Sequence, residues 1–204
     1  MTTIVVGLVG PIGVGKTTIA NYLESTGFQK LKFSDPIKEE TDRRKLTNTR
    51  EAYQDIGDSL REKFGNDYIS RSLHDKIKAK ANKSFVVEGF RNPGEISIFQ
   101  KLPNFVLVGL NADPKVRYER LKNRGEPHDP KTWEAFEKQE ARDQGIGQPE
   151  YGQQVLASLE LADFVIDTDK VQSEVNITID KILKEFQNDP KRTISRRSQD
   201  CAFC

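Results

Sequence analysis

Apolar residues in this chain fall into short continuous runs and into stripes that repeat every three or four positions, and the two patterns alternate. Ile4-Val5-Val6-Gly7-Leu8-Val9 is the nearly unbroken run that a parallel strand buried on both faces requires, and residues 17–23 then read as a helix. Gly27 is a stop signal for that helix, and Phe28-Gln29-Lys30-Leu31-Lys32-Phe33 alternates at period two, as a half-buried second strand does. A charged helical pattern covers about 49–81, with Tyr53, Ile56, Leu60 and Phe64 on one packing face. Ser84-Phe85-Val86-Val87 and Phe105-Val106-Leu107-Val108-Gly109-Leu110 predict the third and fourth strands. Asp113 and Pro114 start a basic helix, and a second helix carrying Trp133 and Phe136 runs from Thr132 to about Gln144. Val155, Leu156, Leu159 and Leu161 mark another helix, 162–167 a short fifth strand, and Val175, Ile179, Ile182, Leu183 and Phe186 the final amphipathic helix. From Gln187 onward no apolar period survives, so one domain over 1–187 and a flexible tail over 188–204 are expected.

A length of 204 residues suits one domain. Charged residues make up 31 % of the chain and balance to +1, which lacks the positive field that nonspecific nucleic-acid binding needs and points to a small anionic ligand. No apolar run approaches the ~20 residues of a membrane span, and no basic, apolar leader precedes the first strand, so a cytoplasmic protein without a membrane partner is expected. Cys201 and Cys204 are the only cysteines, which argues against a disulfide-built fold. Their single C-x-x-C lacks the second pair that a zinc site needs.

Candidate chemistry concentrates where strands give way to loops. Gly10-Pro11-Ile12-Gly13-Val14-Gly15-Lys16-Thr17-Thr18 matches the phosphate-loop pattern G-x-x-x-x-G-K-[ST] between a strand and a helix. Glycines let backbone N–H groups turn toward phosphate oxygens, and the helix N-terminus adds a favourable dipole. Gly10, Gly13, Val14, Gly15, Lys16, Thr17 and Thr18 are therefore read as binding ATP, with Lys16 on the β- and γ-phosphates and the Thr17 hydroxyl on Mg²⁺. Asp35, after the second strand, is either a base or substrate holder for an acceptor or a helix cap, since Ser34 or Asp35 can cap a helix beginning near Pro36. Arg61 either reaches an anionic acceptor or is a solvated helix charge. In Glu88-Gly89-Phe90-Arg91, Glu88 is placed to hold Mg²⁺, while Arg91 either clamps a phosphate or pairs with Glu95. Arg117, Arg120 and Arg124 line one helix before the loop Gly125-Glu126-Pro127-His128-Asp129-Pro130. The hairpin over about 117–145 is either a lid closing on a transferred phosphoryl group or a solvated pair of helices.

Strands alternating with helices, the phosphate loop and the arginine-rich hairpin together resemble the nucleoside-monophosphate-kinase branch of the P-loop fold. Glu88-Gly89-Phe90-Arg91, Pro114-Lys115-Val116-Arg117-Tyr118-Glu119-Arg120-Leu121, Asp129-Pro130-Lys131-Thr132-Trp133-Glu134 and Leu161-Ala162-Asp163-Phe164 resemble archaeal nucleotide-kinase-like proteins related to dephospho-CoA kinase and adenylate kinase. Phe33-Ser34-Asp35-Pro36-Ile37-Lys38 is similar to the acceptor-side motif of phage deoxynucleoside-monophosphate kinases. The resemblance implies an α/β three-layer P-loop NTPase fold, with a five-stranded parallel sheet in the order 2-3-1-4-5 and a helical lid. It further implies transfer of the ATP γ-phosphoryl to a nucleoside monophosphate, held on acceptor-side helices over about 35–81, with Arg117, Arg120 and Arg124 on developing charge. Dephospho-CoA phosphorylation and nucleotide sensing without turnover are the alternatives. Two departures stand out, Glu88 where an aspartate is usual and Glu126 where relatives often carry another arginine. Gly152-Gln153-Gln154 through Phe164 is similar to the kinase-like domain preceding some deoxycytidylate deaminases, which implies a fused or partner deaminase domain; the chain has no H-x-E deaminase signature.

Overall fold

The apolar runs become the strands of one parallel sheet, whose three inner strands are buried from both sides by the helices between them. The computed structural model describes residues 3–47, 49–80, 82–127 and 129–188; the expected tail over 189–204, with Cys201 and Cys204, lies outside them. In chain order the first half holds β1 (Val5–Val9), α1 (Lys16–Ser25), β2 (Gln29–Lys32), α2 (Ser34–Arg43), α3 (Arg50–Phe64) and α4 (Tyr68–Lys78). The second half holds β3 (Phe85–Glu88), α5 (Pro93–Phe99), β4 (Phe105–Asn111), α6 (Pro114–Arg124), α7 (Trp133–Gln144), α8 (Val155–Glu160), β5 (Phe164–Asp167) and α9 (Gln172–Asn188).

The sheet has five strands in the order β2-β3-β1-β4-β5, as the resemblance implies. β1 is central, with Val5 opposite Phe85 on one side and Phe105 on the other. Side chains alternate across a strand, so each run feeds two cores. Ile4, Val6 and Leu8 pack with Val106, Val108, Ile19, Leu23 and Ile179 under α1 and α9. Val5 and Val9 pack with Val87, Leu107, Leu60, Leu73 and Phe99 under α3, α4 and α5. Each such side chain contributes roughly 1.5–3 kcal/mol on burial. β2 and β5 are the edges; β2 is only half-buried, as its alternation predicts.

The caps explain most helix starts. Thr49, Asp113 and Thr132 accept backbone N–H bonds from Ala52, Lys115 and Ala135 and open α3, α6 and α7. Three expectations need correction. The helical pattern over 49–81 is two helices, because Gly65 at φ 100° leaves helical geometry and turns the chain. Phe64 consequently leaves the packing stripe and stacks on Tyr68 at the surface. Neither Ser34 nor Asp35 caps α2, which starts at Ser34, one residue after Phe33, without a side-chain cap bond. Leu156 and Leu161, expected to pack, remain partly exposed, at 47 % and 37 %.

Candidate active site

The phosphate loop leaves the C-terminal end of β1 and enters α1 through Gly15, whose φ of 97° is left-handed. No side chain caps α1, so the first N–H groups of the helix remain open to an anion. Gly13, at φ 76°, lies so close to α6 that a Cβ would stand 2.7 Å from the Arg117 carbonyl oxygen. Lys16 folds back on the loop, donating to the carbonyl oxygens of Gly10 at 2.6 Å and Pro11 at 2.8 Å. Burial, then the nearby Arg91 and Arg50 guanidiniums, push its ammonium well below the ordinary lysine range, with Asp143 and Glu88 opposing. An anion at the loop would oppose that shift by supplying negative charge beside the ammonium.

Glu88 ends β3 beside this loop. Its Oε2 accepts from the Thr17 hydroxyl at 2.7 Å. Its Oε1 is buried without a hydrogen bond, although Lys32 Nζ stands 3.4 Å away as an ion pair. A hydroxyl and an unsatisfied carboxylate oxygen side by side fit a hard, oxygen-seeking cation such as Mg²⁺, which keeps much of its shell as water and phosphate oxygens. The longer side chain of Glu88 therefore still meets Thr17. Among the described residues no group of three His, Cys, Asp or Glu gathers as an all-protein metal site.

Loop, β-strand ends and hairpin enclose a cavity of about 730 Å³. Gly13, Val14, Gly15, Lys16, Thr17 and Thr18 form its donor side. Lys16, Lys32, Lys38, Arg50, Arg91, Arg120 and Arg124 bring seven cations to the wall, against Glu88 as the single carboxylate among the described lining residues. Arg91 bonds Asp143 through Nη1, and Arg50 approaches the other Asp143 oxygen at 3.3 Å. Asp143 is 0 % exposed; burial opposes its charge, but Arg91, Arg50 and Lys16 outweigh that and hold its carboxyl below the usual range. Arg50 Nε is buried with no partner among the described residues. Sequence reading missed both Arg50 and Asp143. The available signal was helical spacing: Phe136, Glu140 and Asp143 share the buried face of α7, and acids on such a face need cations opposite.

Other expected site residues are placed differently. Asp35 is exposed on the first turn of α2 and does not line the cavity, because the helix begins early and turns it outward. Arg61 is 2 % exposed and wholly committed to the fold: Nη1 bonds Glu95 at 2.9 Å, Nη2 bonds Asp58 at 2.6 Å and Nε bonds the Tyr151 carbonyl at 2.7 Å. Glu95 thus pairs with Arg61 rather than with the Arg91 side chain, and its other oxygen accepts the backbone N–H groups of Arg91 and Asn92. Arg117 is also buried, bonding the Ile12 and Ala112 carbonyls and Glu140 while lying over the Phe136 ring. It ties the loop to the hairpin and does not line the cavity. Gly10 likewise lies outside the lining and supplies its carbonyl to Lys16. Arg120 lines the cavity while bonding Thr168, whose hydroxyl donates to Val14 O at 2.8 Å. Arg124 lines it half-exposed, paired through two nitrogens with Asp129. The hairpin is docked: Ile12, Leu121 and Phe136 form a small core, and Arg142 on α7 bonds Asp55 and Asp58 on α3.

A family profile described as an AAA domain matches residues 6–144. A UPF0200 protein of Hyperthermus butylicus is 30 % identical over 95 % of this chain and 94 % of its own. A UPF0200 protein of Pyrococcus abyssi is 33 % identical over 86 % and 95 %. Among solved structures, TT1252 from Thermus thermophilus superposes with a TM-score of 0.61 at 16 % identity, covering 91 % of this chain and 98 % of that one. Shikimate kinase from Acinetobacter baumannii, in complex with shikimate, superposes with a TM-score of 0.56 at 19 % identity, covering 92 % and 95 %. At such identities these structures show the fold alone, a parallel sheet flanked by helices of the P-loop kinase-like type. Among the described residues no helix is long and apolar enough to cross a membrane.

Proposed function

This chain belongs to the AAA-domain family and to the UPF0200 proteins of archaea, and from that premise we propose that it transfers the γ-phosphoryl of ATP to a small acceptor already carrying a phosphate, a nucleoside monophosphate. The observation that carries this reading is the charge of the cavity wall, seven cations against Glu88 alone among the described lining residues. A hydroxyl acceptor, such as dephospho-CoA, needs a carboxylate base beside it; Glu88 is engaged with Thr17, and Asp35 is turned to solvent. A phosphate monoester needs no base, since its second ionisation lies near pH 6 and the attacking oxygen is already anionic at neutral pH.

Each group then has a task. Lys16 and the open N–H groups of α1 hold the donor phosphates. Arg91 and Arg50 grip the acceptor phosphate in competition with Asp143, which keeps the two guanidiniums in place beforehand. An acceptor oxygen forms a bond to the γ-phosphorus as the bond to the β,γ-bridging oxygen breaks, and ADP departs with that electron pair. Arg120 and Arg124 stabilise charge spread over the moving group. Thr17 and Glu88 would hold Mg²⁺, which neutralises phosphate charge when bound. Docking of the hairpin on α3 keeps water from competing as acceptor.

Purified protein incubated with labelled ATP and a panel of nucleoside monophosphates, with dephospho-CoA as the hydroxyl acceptor, tests the proposal. Labelled diphosphate from at least one monophosphate is expected, with Arg91→Ala reducing kcat/KM by ~10²-fold or more. Labelling of dephospho-CoA alone overturns the acceptor class. Tight ATP binding with no labelled acceptor overturns turnover in favour of a nucleotide-sensing module.

A further inference from the structure

Two glutamine amides meet at the wall of the cavity. Gln54 projects from α3 and Gln153 from the segment after α7; they are 5 % and 6 % exposed and both line the cavity. Gln54 Nε2 donates to Gln153 Oε1 at 3.4 Å, at the long limit for such a bond. Gln54 Oε1 and Gln153 Nε2 make no hydrogen bond among the described residues, yet neither is among the sealed, unsatisfied atoms. Both therefore open on the cavity, one an acceptor and one a donor, held side by side.

The pair is not required to hold that segment down. Arg61 Nε bonds the Tyr151 carbonyl at 2.7 Å, Asn92 Nδ2 bonds the Glu150 and Gly152 carbonyls at 2.9 and 3.0 Å, and Gln154 N bonds Arg91 O at 2.6 Å. Amide atoms that open on the cavity with hydrogen-bonding capacity unused by the fold are free to meet a ligand there. Their position indicates which part of a ligand they meet. Gln54 lies four residues beyond Arg50, about 6 Å along the same face of α3, and Gln153 adjoins the residue bonded to Arg91. Gln54 therefore lies one helical turn from Arg50, a spacing of the size of a pentose, and all four side chains line the same cavity. Tyr53 and Ile37 add apolar wall on the same side.

We propose that Gln54 and Gln153 form a specificity site that reads the hydrogen-bonding edge of a nucleobase, the acceptor's phosphate being held by Arg50 and Arg91. This rests on the phosphorylated-acceptor reading above. Adjacent donor and acceptor atoms are what every base presents on its pairing edge, and a site that hydrogen-bonds a polar edge rejects ligands lacking it, because its own amides are then left unsatisfied. A sugar phosphate fills the phosphate grip but not this edge.

Calorimetric titration of the full chain with the four nucleoside 5′-monophosphates and with ribose 5-phosphate, without ATP, tests the proposal. At least one nucleotide is expected to bind ~10-fold or more tightly than ribose 5-phosphate. Gln54→Met and Gln153→Met keep apolar contact with a base but remove its hydrogen bonds. Each is expected to cut that preference to about threefold or less while leaving ribose 5-phosphate affinity unchanged. Gln153→Glu, which keeps shape and removes the donor, serves if a methionine variant does not fold. Wild-type protein that binds ribose 5-phosphate as tightly as every nucleotide, or folded variants that keep the preference, overturns the amide site and leaves the phosphate grip standing. Failure of all five compounds to bind overturns the phosphorylated-acceptor reading together with this one.

Discussion

Replacing Arg61 by methionine separates a structural arginine from a ligand-binding one. The substitution keeps the apolar stem of the side chain and removes three polar links, to Glu95, Asp58 and the Tyr151 carbonyl. Glu95 is as buried as Arg61, so its carboxylate would be left without its cation, retaining only the backbone N–H bonds from Arg91 and Asn92. Breaking a buried pair in this way costs about 3–5 kcal/mol. For a chain of this size that is roughly 6–20 °C in Tm, measurable by circular dichroism or calorimetry. The pH dependence is a second signature. Burial already pushes the Glu95 carboxyl above its ordinary value of 4.5, with Arg61 and the two N–H groups opposing. A carboxyl raised in the folded state contributes stability below the unfolded value that is lost as pH rises through the folded one. Without Arg61 the carboxyl moves further up, so the deficit of Arg61→Met should be largest near pH 8 and shrink toward pH 5. Adding Glu95→Gln, which keeps an acceptor for the backbone N–H groups, should recover more than half of the loss. A Tm within about 2 °C of wild type, with weakened binding of a phosphorylated acceptor, would refute the burial argument and return Arg61 to the ligand.

Lys16→Ala should weaken ATP binding by ~10²-fold or more while moving Tm by no more than about 2 °C, because the ammonium bonds only loop carbonyls; unchanged affinity by titration would sink the phosphate-loop assignment. Arg124→Ala should lower kcat by ~10²-fold with little change in the ATP dissociation constant, since its charge is useful chiefly on the moving phosphoryl group. Single-turnover transfer measured beside equilibrium titration decides it, and a loss confined to affinity would refute a transition-state role.

Local pattern alone carried the strands and the donor side, while the order of the strands in the sheet came from the resemblance. The apolar runs of the first, third, fourth and fifth strands, the period-two alternation of the second, and the spacing of Gly10, Gly13, Gly15, Lys16 and Thr17 are properties of neighbouring residues, so they were legible without partners. The helix start at Asp113 was legible for the same reason. The division of labour among the arginines was not. Arg61 and Arg91 look alike in sequence, and what distinguishes them is Glu95 and Tyr151, 34 and 90 residues from Arg61, and Asp143, 52 residues from Arg91. A guanidinium bonded on every edge to buried acceptors has nothing left for a ligand, whereas Arg50 shares one carboxylate with Arg91 and keeps a nitrogen unsatisfied beside the cavity. Which arginine meets a buried acid depends on how α3, α5 and α7 pack across the sheet edge, and packing is a relation among distant segments. Only the tertiary structure could therefore turn Asp35 outward, withdraw Arg61 and Arg117 into the fold, and bring Arg50, Asp143, Gln54 and Gln153 together around one cavity.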